Sequence, residues 1–345
     1  MHQWLSASLI VALAASTASA QQRLTPTCRT EVVKLCAMSG DRRAIAECLM
    51  QKRLSLPASC QEELRARVAN MARREMDEGG KANDADEARE YSYGSHAKQR
   101  LDYYPTDRSS KAPLLLFIHG GGWSIGDKKY GTGTKPSFYN ALGYNFASLN
   151  YRLVPDVTPA EQATDIASAI AYLRANAAKL GISPDKIVLM GHSAGAHLAA
   201  LVATDTTYLD RAAVPVAVIH GVILLDGAGY NVAAQMAYPG NRVQNMYEAA
   251  FGKNPATQAA LSPVSHVSAP NSPNWLILHV ASRPDAKAQS SALGAGLKSN
   301  GANVSVVPVP DSTHSSINKD AGTDGTFTAN AIAKFLAQRV TNIRN

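Results

Sequence analysis

The chain has 345 residues, 46% apolar and 18% charged, which is enough for one large domain with a sizeable core and a smaller module beside it. The formal net charge is +7. The basic residues are scattered, with no Lys/Arg run and no interleaved aromatics, so the charge argues for a solvated basic surface and against a nucleic-acid partner.

Residues 1–20 contain no acidic residue, carry an apolar run from Leu5 to Ala15 and end Ala18-Ser19-Ala20. That pattern predicts a secretory signal peptide cleaved after Ala20, and hence a secreted or periplasmic protein, although only His2 is available to charge its start. No other segment is long and apolar enough to predict a membrane span. Residues 21–75 hold every cysteine of the chain: Cys28, Cys36, Cys48 and Cys60. Export and an even count favour disulfides, whereas the wide spacing without C-x-x-C or a nearby histidine disfavours zinc. Of three possible pairings the nested one is preferred, Cys28–Cys60 with Cys36–Cys48, clipping helices at 29–37 and 42–52 with a third at 61–75. The segment resembles the cysteine-rich repeat of Golgi glycoprotein-1-type proteins, which implies an exported helical module that packs on its neighbour or binds a partner. Residues 76–90, rich in Asp, Glu, Gly and Ala, read as a linker.

From residue 91 onward apolar runs alternate with helical patterns. Alternating residues at 91–104 predict one or two edge strands. Buried strands are expected at 113–118, 145–151, 186–190, 216–225, 275–280 and 304–309. Helices are expected at 159–180, 194–203, 285–300 and 326–340. A polar stretch containing tyrosines, 227–270, interrupts the alternation. The fold class predicted is α/β, a mostly parallel, doubly wound sheet covered on both faces, with chemistry beyond the carboxyl ends of its strands.

Two of those ends carry motifs. Gly191-His192-Ser193-Ala194-Gly195 fits G-x-S-x-G between a strand and a helix, the context of a nucleophile elbow. His119-Gly120-Gly121-Gly122-Trp123 follows the strand at 113–118. Consecutive glycines can turn their N–H groups toward a developing oxyanion without steric cost, so Gly121, Gly122 and the N–H of Ala194 are the expected donors. A serine also needs a base, and the base an acid. His314, in a polar loop after the last strand, is the expected base. Two carboxylates compete for the acid: Asp285, just beyond the strand at 275–280, and Asp226, after the strand before it. Asp285 is preferred because the chain order places the acid late, and an N-cap role is its structural alternative. His119 and His192 are expected to brace their own loops, and His220 and His279 to be core histidines. Without H-E-x-x-H or a close carboxylate–histidine cluster, no metal is expected.

With these motifs in place, residues 91–345 are similar to the α/β-hydrolase superfamily, in its HGGG carboxylesterase branch of hormone-sensitive-lipase-like, feruloyl-esterase-like and kynurenine-formamidase-like proteins. The resemblance rests on His119 to Trp123 with Gly126-Asp127, and on Gly191 to Leu198. It implies Ser193 as nucleophile, Asp285 as acid, His314 as base and a small-molecule ester substrate, with no cofactor. His192 before the serine is closer to the formamidase and feruloyl-esterase members. Other readings are an arylformamidase-type amidase or a hydrolase-like binding protein that has lost catalysis. Trp123, Tyr230 and Tyr238, with Met236, Met246 and Tyr247, are candidates either for a substrate pocket or for the small core of the 227–270 stretch.

Overall fold

The computed structural model describes residues 25–36, 55–63, 88–109, 111–129, 131–238 and 244–341. The chain divides into two units, Met1–Met71 and Ala72–Asn345.

In the first unit, helix α1 spans Pro26–Cys36. It begins three residues before the expected start, because Thr25 caps it and proline suits a first helical turn: the Cys28 N–H donates to Thr25 Oγ1 at 3.3 Å. A disulfide joins Cys28 to Cys60, as the nested pairing requires. Val32, Leu35 and Leu56 pack around it, and Thr25 donates through both N–H and hydroxyl to Glu63 at 2.7 and 2.8 Å. The expected Cys36–Cys48 pairing and the helix at 42–52 lie outside the described residues.

In the second unit an eight-stranded sheet has the order β1-β2-β4-β3-β5-β6-β7-β8. The strands are β1 Arg89–Ser92, β2 Arg100–Tyr104, β3 Ala112–Ile118, β4 Asn145–Leu149, β5 Ile182–His192, β6 Ile219–Leu225, β7 Asn274–Val280 and β8 Asn303–Val309. The β1–β2 and β2–β4 pairs are antiparallel and every later pair is parallel. Sequence and structure differ at 216–218, where the chain after Pro215 makes a 3₁₀ turn before β6 begins. The proline has no N–H to give a sheet ladder, so the strand starts beyond it.

The near-continuous apolar strands follow from burial on both faces. Along β3, Leu114, Leu116 and Ile118 belong to one core with Ile166, Ile170 and Leu198. Leu115 and Phe117 face the opposite core with Tyr139, Ile332 and Phe335. Each such side chain, fully buried, contributes roughly 1.5–3 kcal/mol relative to exposure. The helices of this unit include α2 Lys135–Ala141, α3 Pro159–Ala175, α4 Ala177–Leu180, α5 Ala194–Thr204 and α6 Thr207–Arg211. The 227–270 stretch folds into α7 Val232–Met236, α8 Gln244–Phe251 and α9 Pro255–Ala260. After these come α10 Pro284–Ser299, α11 Ser316–Asp320 and α12 Phe327–Leu336. Helix α3 starts with a full capping box, Thr158 with Glu161, and Pro159 in its first turn.

Candidate active site

The turn from β5 into α5 is forced at Ser193, whose φ of 56° and ψ of −120° are unusual for a residue bearing a side chain. Only glycine fits on either side. A Cβ on Gly191 would stand 2.2 Å from the Gly195 carbonyl oxygen, and one on Gly195 would stand 2.1 Å from that of Ile118. The Ser193 N–H donates to Leu225 O at 3.0 Å, tying the turn to the end of β6. The hydroxyl is thereby held at the N-terminus of α5, where helix N–H groups favour negative charge.

His314 lies in the turn between β8 and α11. Its Nε2 is 3.0 Å from Ser193 Oγ. Its Nδ1 is 2.6 Å from Asp226 Oδ2. Asp226 is the residue after β6, in the strand next to the elbow strand, and its φ of 45° turns it out of the sheet. Its N–H donates to Leu278 O at 2.8 Å, and Oδ1 accepts from the Val280 N–H at 2.9 Å. Burial alone would raise its pKa. The His314 hydrogen bond, the Arg283 charge and the Val280 N–H outweigh burial and hold the carboxyl well below the usual carboxylate range.

Of the two competing carboxylates, the structure sets Asp226, and not the expected Asp285, against His314. Asp285 does not reach His314. It sits in the first turn of α10, and its Oδ2 accepts from Arg283 Nη2 at 2.8 Å and from Gln235 Nε2 at 3.4 Å. The reason is sheet order. β6 adjoins β5, with Leu225 in register with His192, so the residue that follows β6 comes out beside Ser193. β7 is one strand further away. The signal for Asp226 was present in the sequence, as a carboxylate directly ending an apolar strand. Arg283 carried no such signal. It donates through Nη1 to Asp226 Oδ2, and the same nitrogen lies 2.9 Å from His314 Nδ1.

His192 is turned toward His314. Its Nε2–H donates to the His314 carbonyl at 2.8 Å, and the two rings are 4.7 Å apart. A carbonyl can only accept, so Nε2 carries the proton. Burial, with His314 nearby, pushes the His192 pKa down to about 3. A neutral imidazole thus braces the turn that holds the base.

The glycine loop after β3 turns sharply, with φ of 118° at Gly121, 56° at Gly122 and 61° at Trp123. Ser124 and Ile125 donate their N–H groups back to Gly121 O at 3.3 and 3.1 Å. His119 braces the loop from below: its Nδ1–H donates to Gly120 O at 2.7 Å, and its ring stacks on Tyr151 at 4.4 Å. Trp123 is fully buried. Its Nε1–H donates to His197 Nδ1 at 3.2 Å, and His197 Nε2–H donates in turn to Leu261 O at 2.8 Å. The edges of Tyr247 and Phe251 complete the cluster, with centroids 5.0 and 4.7 Å from the indole. Trp123 and Tyr230, expected as candidates for a pocket wall, are therefore packed into the core. Tyr238 is half-buried. Among the described residues, no group of three or more His, Cys, Asp or Glu side chains is placed to hold a metal ion.

The geometry is that of a hydroxyl, an imidazole and a carboxylate in line, beside a glycine turn at a helix N-terminus. Residues 101–295 match the BD-FAE family model, more than half of the chain. The chain belongs to the BD-FAE family. Among curated relatives, this BD-FAE chain is 32% identical over 237 residues to Esterase LipQ of Mycobacterium tuberculosis, covering 66% of itself and 55% of LipQ. It is 39% identical over 111 residues to the probable isoprenylcysteine alpha-carbonyl methylesterase ICMEL1 of Oryza sativa subsp. japonica, covering 31% and 25% of the two chains. It thus spans about half the length of the first relative and a quarter of the second. Among solved structures it resembles EstE1, a thermostable carboxylesterase cloned from a metagenomic library. The TM-score is 0.65 and the identity 18%, over 82% of this chain and 98% of that one. That likeness makes the BD-FAE chain an α/β-hydrolase in fold.

Proposed function

We propose that the protein is an exported serine carboxylesterase that hydrolyses small or aromatic carboxylic esters through an acyl-enzyme. The observation that carries this reading is the relay from Ser193 Oγ to His314 Nε2 at 3.0 Å and from His314 Nδ1 to Asp226 Oδ2 at 2.6 Å. His314 takes the serine proton as Ser193 attacks the ester carbonyl. Asp226 holds the imidazole in the tautomer that leaves Nε2 free to accept, and offsets the charge the ring then gains. The tetrahedral oxyanion is met by the N–H groups of Gly121, Gly122 and Ala194, each donor lowering the barrier by roughly 3 kcal/mol. His314 returns the proton to the departing alcohol, and water repeats the cycle against the acyl-enzyme. The names of LipQ and EstE1 support ester substrates. Export is supported by the sequence of residues 1–20 and by the Cys28–Cys60 disulfide.

The test is a panel of p-nitrophenyl esters of graded acyl length with methyl ferulate, and N-formylkynurenine as the amide comparator, on wild type and Ser193→Ala. Ester turnover that disappears in Ser193→Ala supports the proposal. Turnover of the formamide in preference to every ester would replace it with the amidase reading. Activity retained by Ser193→Ala would remove the serine from the mechanism.

A further inference from the structure

Arg283 passes no proton in the relay described above, yet it touches two of its members. It sits in the turn between β7 and α10, about one-third exposed, while the carboxylate it grips is buried. Nη1 donates to Asp226 Oδ2 and stands 2.9 Å from His314 Nδ1. Nη2 donates to Asp285 Oδ2 at 2.8 Å. Burial works against the guanidinium charge, but the two carboxylates outweigh it and hold the pKa above the ordinary arginine value. Arg283 is therefore a donor at every working pH.

Nδ1 has two neighbours that make opposite demands. A carboxylate only accepts and a guanidinium only donates. When Nδ1 carries the proton toward Asp226, Nε2 presents its lone pair to Ser193 and can act as base. When Nδ1 accepts from Arg283, the proton must sit on Nε2, pointing at the serine oxygen, and the hydroxyl has nowhere to send its own. The two states differ only in where one proton sits on a neutral ring.

Resting on the triad reading above, we propose that Asp226 selects the working tautomer of His314 against Arg283, and that Asp285, by holding Nη2, is a positioning residue that keeps Nη1 shared with Asp226 Oδ2 rather than free to swing fully onto Nδ1. Asp285, expected to be the acid, thus acts through Arg283. Its own carboxylate does not touch the imidazole.

The test is a pair of double-mutant cycles read as kcat and KM. Asp226→Ala removes the carboxylate without adding a donor of its own, and loses roughly 10³–10⁴-fold in kcat, the scale of a lost triad acid. Adding Arg283→Met removes the competing donor, so the double variant is expected to be at least about tenfold faster than Asp226→Ala. Asp285→Asn loosens the guanidinium and is expected to lose several-fold in kcat at unchanged KM, and Arg283→Met in that background restores most of it. The second cycle stands if Asp226→Ala fails to fold. A lesion repaired by a second lesion is not the signature of a structural role. The proposal is overturned if either double variant is no faster than its parent, or if Asp285→Asn leaves kcat unchanged. Ser193→Ala and His314→Gln are assayed alongside. If these keep activity the triad reading itself has failed, whereas if they are dead and the cycles are additive, only the tautomer competition is lost.

Discussion

The proposed chemistry rests on three side chains and one backbone angle. Ser193 is strained, His314 is shared, and Asp226 is buried and held ionised by its neighbours. The two candidate acids separate cleanly by substitution. Asp226→Asn is expected to lower kcat by roughly 10⁴-fold with little change in KM, because the amide no longer fixes the tautomer. Asp285→Asn is expected to stay within about tenfold of wild type, as a residue that acts only through Arg283. Equal losses in the two variants would restore Asp285 as the acid. The placement of Ser193, His314 and the glycine turn was legible in the sequence because each is a local pattern at a strand end. Which carboxylate meets His314 was not, because choosing between Asp226 and Asp285 needs the order of strands in the sheet. Chain order placed both between the serine and the histidine, and only the β5–β6 pairing puts Asp226 beside the elbow.

At the scale of elements, two helices steady the site. Helix α8 rests on the glycine loop: a Cβ at Gly122, already at a φ of 56°, would stand 2.2 Å from Met246 Sδ. Gly122→Ala must displace the Met246 side chain and hold an alanine at a left-handed φ, which strains the loop. The loss expected is roughly 10²–10³-fold in kcat, the cost of one misplaced oxyanion donor, with the fold retained by circular dichroism. Unchanged kcat would show that the N–H of Gly122 is not used. Helix α2 steadies the other side. Lys135 is fully buried, its ammonium 5.0 Å from the centre of the Phe117 ring, and donates to Gly131 O and to Asn318 O, both at 2.6 Å. Burial pushes its pKa down to about 7. Thr134 reaches Gly322 O at 2.7 Å, so the end of α2 is fastened to the segment that follows His314. Lys135→Met removes the two short hydrogen bonds from the ammonium and leaves Gly131 O and Asn318 O with only their longer 3.3 Å donors, Asn318 Nδ2 and the Ala321 N–H, at a cost of roughly 1–3 kcal/mol. Amide exchange at Ile317, Lys319 and Ala321 should quicken before that of the central strands, and exchange that rises uniformly would deny α2 this local role. The contacts of Lys135 with Asn318 and of Thr134 with Gly322 were not visible in the sequence, since they join residues 183 and 188 positions apart.

For the whole molecule, the doubly wound sheet was legible from apolar runs alternating with helical patterns, while strand ends differ by a few residues: β6 starts at Ile219 after Pro215, β5 spans Ile182–His192 rather than 186–190, and β4 ends at Leu149 rather than 151. The 227–270 stretch was not, because its short helices α7, α8 and α9 carry mixed polar and aromatic residues whose burial is set by what they pack against. Buried histidines give the fold a definite response to acid. His119 and His197 are pushed down to about 4 and His192 to about 3, in each case chiefly by burial. Above about pH 6.5 the three are neutral in folded and unfolded chains alike and cost nothing. Below it the unfolded chain takes up protons that the folded one refuses, so stability falls as pH drops from about 6.5 toward 4. The slope reaches about 1.4 kcal/mol per pH unit for each histidine. Against a total stability of roughly 5–15 kcal/mol this is a large effect. Melting temperatures measured from pH 7.5 to 4.5 should fall slightly near pH 7, where the buried Lys135 titrates, and then drop steeply below about pH 6.5. A level profile throughout would mean that these rings are solvated. The account as a whole depends on one hydroxyl, and labelling by a fluorophosphonate reads it directly. Peptide mass spectrometry should find a single adduct, on Ser193, formed at a rate that collapses in His314→Gln. An adduct elsewhere, or a labelling rate indifferent to the loss of His314, would contradict it.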